Sequence, residues 1–149
     1  YIQAMRKLWQ EDGATFKGKF IEFDRINCNP KPIGKKLPII IGGHSARAVR
    51  RAARFGDGFF PATGMQTDVA AILDLLQEEM HKIGRDPKDI EIMTGCPEAL
   101  PGSGHDALEA IKEKQKQGIQ KVVLPLDAFL PDMEPSILRF GEEIIAKIK

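Results

Sequence analysis

The sequence predicts a parallel α/β fold, and three observations carry the prediction. Short apolar, β-branched runs alternate with amphipathic helical stretches, glycines sit at most of the junctions, and the runs show little polar alternation. Strands that alternate with helices form parallel sheets with the helices outside, and such strands read as continuous apolar runs.

Ile2, Met5, Leu8 and Trp9 recur at helical spacing, and Gly13 stands where that first helix stops. Phe16, Phe20, Ile21, Phe23 and Ile26 then mix with Lys and Asp in a short period that suits extended structure or a hairpin. Cys28 to Lys36, with Pro30, Pro32 and Gly34, is a loop. After Pro38 the run Ile39-Ile40-Ile41 reads as a strand buried on both faces, ended by Gly42-Gly43.

Ser45 is the expected N-cap of a helix whose Ala46, Val49, Ala52 and Ala53 alternate with Arg47, Arg50, Arg51 and Arg54, and Gly56 closes it. A second unit follows. Asp57 to Pro61 is its strand, and Thr67 is the expected cap of a helix with Val69, Ile72, Leu73, Leu76 and Met80 on one face, ended by Gly84. Ile90 to Thr94 is the third strand, and the loop Gly95 to Gly104 leads to a helix with Ala107, Leu108 and Ile111, stopped by Gly118. Val122-Val123-Leu124 is the fourth strand, and Ile137, Leu138, Ile144, Ile145 and Ile148 mark the last helix.

Four strand–helix units in succession leave two architectures open, a doubly wound sheet or half of an eight-stranded barrel. The length of 149 residues and the absence of any linker or low-complexity tract predict a single domain over residues 1–149. Lys+Arg 22 against Asp+Glu 21 gives a net charge of +1, which supplies no excess cation density for nucleic acid or an anionic membrane. The longest apolar stretches, such as Leu37 to Ile41, are far too short to cross a bilayer, and the first residues lack the pattern of a secretory signal. These features predict a cytoplasmic protein. Cys28 and Cys96 form no CxxC and have no nearby His pair, so free thiols are expected rather than a disulfide or a metal site.

Chemistry concentrates at Pro38 to Arg47. Glycines after a strand let a ligand approach the backbone, and the following helix start offers free N–H groups and partial positive charge to an anion. The Gly43, His44 and Ser45 amides and the Ser45 hydroxyl are the candidate phosphate ligands, with Arg47 as an accessory charge. The alternative is a plain βα turn in which Ser45 only caps the helix. The segment is neither GxGxxG nor a Walker loop. His44 has no partnered carboxylate or nucleophile in the pattern, His81 reads as solvated surface and His105 as part of a helix cap. The four arginines read as a solvated helix exterior, with several pointing to different sides. No hydrolase or metalloenzyme motif is legible.

From Pro38 to Pro61 the run PIIIGGHSARAVRRAARFGDGFFP resembles the luciferase-like monooxygenase superfamily, the flavin- or deazaflavin-dependent enzymes related to bacterial luciferase. FKGKFIEF, the approach NPKPIGKKLP and the later Arg85 to Ile92 come in the family's order, so the resemblance spans essentially the whole chain. It implies the second half of a (β/α)8 TIM barrel, strands five to eight with their helices, in a chain that is part of a longer protein. It also implies that Gly42, Gly43, His44 and Ser45 help hold the phosphate of FMN or coenzyme F-420. The form IGGHSxxAxRRAAxxGDG looks most like the deazaflavin-using and unassigned branch. Thr63, Gly64, Thr94 and Leu126 are weaker candidates for pocket walls.

The implied activity is that of an oxidoreductase or monooxygenase acting on a small molecule. The family's residues under the isoalloxazine or deazaflavin ring, and most of its substrate contacts, lie on strands outside these residues, and the resemblance identifies no catalytic residue here. A half-barrel leaves an apolar inner face and two strand edges uncovered, which predicts a homodimer or association through the open face. A non-catalytic α/β module that binds a phosphorylated ligand, or completes a split barrel with another chain, is the alternative.

Overall fold

The computed structural model describes residues 1–61 and 68–148, and the chain divides into two compact units, Tyr1–Ile39 and Ile40–Lys149. In the first unit, helix α1 (Ile2–Gln10) is followed by strands β1 (Ala14–Lys17) and β2 (Glu22–Ile26), paired as an antiparallel hairpin. Phe16 and Phe23 stack across the hairpin with ring centroids 5.9 Å apart. Lys31 closes the end of α1, its Nζ donating to the carbonyl oxygens of Leu8 (2.8 Å) and Glu11 (2.6 Å). A cation suits that end of a helix, where carbonyls lack intrahelical partners.

The second unit holds the four expected βα units. They are β3 (Ile40–Gly42) with α2 (Ala46–Phe55), β4 (Gly58–Phe60) with α3 (Val69–Lys82), β5 (Glu91–Gly95) with α4 (Ala107–Lys116), and β6 (Lys121–Val123) with α5 (Met133–Glu143). The sheet is parallel throughout, in the order β3-β4-β5-β6. Chain order and sheet order coincide. A doubly wound sheet reverses direction at a switch point, and these four strands contain none.

Register separates the two faces of the sheet. Ile41 pairs with Phe59, Phe59 with Ile92, and Thr94 with Val122, so these five share one face. Helices cover that face. Val49, Ala52 and Ala53 of α2 are buried, and Val122 packs against the cluster of Cys96, Ala99 and Ile111. The opposite face carries Ile40, Gly58, Met93 and Val123. There Ile40 is 40% and Val123 45% exposed, against 7% for Ile41. The reading of the Ile39–Ile41 run as buried on both faces is therefore corrected, because α2 covers one face only.

Local chemistry accounts for most helix ends. Ser45 caps α2 as expected, but α3 is capped by Asp68, whose carboxylate accepts from the Ala71 N–H at 3.1 Å, and Thr67 lies outside the described residues. Asp106, rather than His105, caps α4, accepting from the Glu109 N–H at 3.0 Å. Gly84 and Gly118 follow α3 and α4 with φ of +69° and +82°, the left-handed conformation glycine adopts freely.

One tie was not legible in the pattern. The Arg85 guanidinium donates to the carbonyl oxygens of Ala53 (2.8 Å) and Gly56 (2.8 Å) at the end of α2, and to that of Asp89 (2.7 Å) before β5. It therefore joins α2, the α3 exit and the approach to β5 at one end of the sheet.

Candidate functional site

The β3–α2 turn brings Gly42, Gly43, His44 and Ser45 together at the C-terminal end of an edge strand and the start of a ten-residue helix. Gly43 has φ +127°, a region L side chains rarely adopt, and a Cβ there would lie 2.9 Å from the Ala48 Cβ. Only glycine fits that position without strain. At Gly42 the nearest atom to an added Cβ is the Phe60 carbonyl oxygen at 3.9 Å, so this glycine leaves open space beside the strand end.

The sequence reading aims the Gly43 amide at a ligand, and the structure corrects this. Its N–H donates to the Phe60 carbonyl oxygen at 3.1 Å, continuing the β3–β4 ladder by one residue. Among the described residues the N–H groups of His44, Ser45, Ala46 and Arg47 meet no acceptor, while that of Val49 bonds the Ser45 carbonyl and that of Ala48 the Ser45 Oγ at 3.3 Å. Of the three amides expected to face a ligand, only that of Gly43 is bonded within the sheet, and Ala46 and Arg47 join His44 and Ser45 in meeting no acceptor among the described residues. Ser45 Oγ accepts one bond, and its hydroxyl proton remains free to donate.

The turn is open. His44 and Ser45 are exposed, and His44 has no hydrogen-bond partner among the described residues. This arrangement suits an anion through backbone N–H groups, a hydroxyl and the positive end of α2.

The weaker candidates do not join it. Thr63 and Gly64 lie outside the described residues. Thr94 is 2% exposed on the helix-covered face, its Oγ1 without a hydrogen-bond partner among the described residues, so it lines no wall on the open face. Leu126 follows β6 at the other edge of the sheet and lines an apolar groove of about 690 Å³ with Ile119, Val122, Leu124 and Ile137. None of the four turn residues borders that groove.

Cys28 and Cys96 are both free thiols. Burial pushes the Cys96 thiol above its ordinary pKa, and its contact with the Glu98 carboxylate at 3.5 Å acts in the same direction. Among the described residues no group of three His, Cys, Asp or Glu side chains is placed to hold a metal, and no helix is long and apolar enough to cross a membrane.

The arginines of α2 also differ from expectation. Positions 47, 50, 51 and 54 are spaced i, i+3, i+4 and i+7, which places them on one stripe of the helix rather than on several sides. All four line one shallow groove with Phe55, Glu79 and Ile83.

A parallel sheet of successive βα units, with a glycine turn leading from a strand end into a helix, defines an α/β protein. Residues 1–129 match the Luciferase-like monooxygenase family, and the chain belongs to it. The chain is similar to the FMNH2-dependent dimethylsulfone monooxygenase of Pseudomonas fluorescens, with 43% identity over 61 residues, covering 40% of this chain and 16% of that protein. It is also similar to the pyrimidine monooxygenase RutA of Allorhizobium ampelinum, with 36% identity over 90 residues, or 58% of this chain and 24% of the relative.

Among solved structures it resembles the coenzyme F-420-dependent tetrahydromethanopterin reductase of Methanopyrus kandleri, with a TM-score of 0.78 and 14% identity. That likeness, which extends over 99% of this chain and 61% of the reductase, is one of fold. The chain matches only part of the length of each of these relatives.

Proposed function

We propose that residues 1–149 form the C-terminal half of a luciferase-like (β/α)8 barrel, a single domain supplying strands five to eight and the turn that holds the phosphate of FMN or coenzyme F-420. The observation that carries the turn assignment is the row of N–H groups at His44, Ser45, Ala46 and Arg47 that meet no acceptor among the described residues, beside a backbone position that favours glycine. The sequential parallel order without a switch point supports the half-barrel. Barrel ligands sit at the C-terminal ends of strands, often with phosphate at a helix start, and the β3–α2 turn has that position.

The residues fit the group. Gly42 leaves room at the strand end, the Ser45 hydroxyl and the free N–H groups donate to phosphate oxygens, and the start of α2 adds partial positive charge. Gly43 holds the turn in shape through its bond to Phe60 rather than by touching the ligand. When bound, the flavin or deazaflavin supplies the hydride transfer or oxygen activation. This part of the chain supplies anchorage and orientation.

The relatives support both cofactors: one is named for FMNH2, the other for coenzyme F-420. The same reading makes the intact protein a cytoplasmic oxidoreductase of small molecules, partnered by neither nucleic acid nor membrane, with free thiols suited to a reducing compartment.

Comparing FMN with riboflavin, which lacks the phosphate, tests the turn. Amide NMR shifts of His44 to Arg47 are expected to respond to FMN and not to riboflavin. Equal responses to the two, or no response at these residues, would overturn the assignment and favour the plain α/β module.

A further inference from the structure

We propose that the arginine groove of α2 receives a chain of carboxylates continuing beyond the phosphate held in the β3–α2 turn, and so selects coenzyme F-420 over FMN, a reading that rests on the phosphate turn. FMN ends at its phosphate. Coenzyme F-420 continues from its phosphate through lactate into a short chain of glutamates that carry free carboxylates.

Arg47, Arg50, Arg51 and Arg54 are all exposed, and they line one groove of about 550 Å³ with Glu79 and Ile83 at the α3 side. Among the described residues none of the four forms an ion pair. Glu79, the acid that lines the groove, is held by Lys82 at 2.8 Å, and Lys82 stands close enough to Arg50 for their charges to oppose each other. Arg54 lies over the Phe55 ring, 5.3 Å from its centroid, a contact that leaves its charge in place. The groove therefore carries a surplus of positive charge.

Like charges three and four residues apart work against a helix, and Arg47 in the first turn also opposes the helix dipole. Solubility alone is served by mixed signs, yet α2 contains no acid. An anionic chain laid along the stripe offsets both effects.

The stripe begins in the turn itself. Arg47 stands two residues after Ser45, and its N–H is one of the four that meet no acceptor among the described residues. The Cα–Cβ bonds of a helix tilt toward its N-terminus, so the four arginines lean toward the phosphate end. From Arg47 to Arg54 the helix rises about 10 Å, a span that about three extended residues of an amide-linked chain cover. A phosphate and the carboxylates behind it thus fit one continuous track.

The test is fluorescence titration of the intact protein with coenzyme F-420, with the same coenzyme lacking its glutamates, and with FMN. The complete coenzyme is expected to bind about tenfold more tightly than the form without glutamates at about 50 mM NaCl. That gap is expected to close near about 500 mM, because salt screens exposed charges. Arg50→Gln/Arg54→Gln is expected to remove most of the gap and to leave affinity for the form without glutamates within about twofold of the parent's. Arg50→Lys/Arg54→Lys keeps the charge and is expected to keep most of the gap. Circular dichroism checks that the variants fold as the parent does. Equal affinity for the two forms in the parent, a gap that the Gln variant retains, or no binding of coenzyme F-420 would overturn the proposal. Failure of the phosphate turn reads out elsewhere, as equal binding of FMN and riboflavin.

Discussion

Gly43 donates its N–H to the carbonyl oxygen of Phe60 at 3.1 Å, and this bond takes the first amide of the β3–α2 turn into the sheet. It ties the end of β3 to the end of β4 and uses the amide nearest the strand. The next four N–H groups, from His44 to Arg47, meet no acceptor among the described residues. The turn is thus built in two parts, a glycine that fixes the backbone and a helix start that presents donors.

Replacing Gly43 tests the first part. Gly43→Ala forces φ +127° on an L residue and drives its Cβ to 2.9 Å from that of Ala48. A loss of about 1–3 kcal/mol is expected from strain of this kind. Urea denaturation measures it as a lower midpoint with an unchanged slope. A midpoint equal to the parent's would show that the turn relaxes freely.

Arg85 tests what fixes the other end of α2. Its guanidinium serves the carbonyls of Ala53, Gly56 and Asp89 at once. Arg85→Met leaves those acceptors unsatisfied, at a cost of about 2–4 kcal/mol if each contributes roughly as hydrogen bonds do. Arg85→Lys is expected to recover only part of this, because an ammonium cannot span the same fork of acceptors. Equal stability of the Lys variant and the parent, in the same urea experiment, would reduce Arg85 to a simple charge.

The thiols separate by environment. Cys96 is buried and its pKa is raised by that burial, whereas Cys28 is partly exposed. Near neutral pH a thiol reagent is expected to modify Cys28 first and Cys96 only as the protein opens. A thiol whose folded pKa lies above its unfolded value binds more protons when folded. Its contribution to stability is therefore complete below the unfolded value and is lost as pH rises through the folded one. Denaturation midpoints measured across alkaline pH should fall in the parent and fall less in Cys96→Ala.

The order of the βα units was legible, and α2, α3 and α4 most clearly, because each has an apolar stripe with a capping side chain or a glycine at its ends. Helix α5 has no side-chain cap and stops at Glu143, so Ile144, Ile145 and Ile148, expected in the last helix, lie beyond it. The β3–α2 turn was legible for the same reason, since Gly42-Gly43 and Ser45 are local signals. What escaped the sequence depends on partners distant along the chain. The Gly43–Phe60 bond needs the β3–β4 register, the Arg85 ties reach back 29 to 32 residues, and the exposure of Ile40 and Val123 depends on which sheet face the helices cover. The arginine stripe is a different case. Its i, i+3, i+4, i+7 spacing was present in the sequence and defines one side of a helix.

Ser45→Asp tests the central claim most directly, because it separates capping from ligand binding. Asp is as good an N-cap as Ser and its charge favours a helix start, so α2 should be at least as stable as in the parent. The same charge faces any bound phosphate. Stability in urea should therefore hold or rise while affinity for FMN falls by about tenfold or more, with binding of riboflavin unchanged. An unchanged dissociation constant for FMN would contradict the phosphate turn and leave Ser45 as a cap alone.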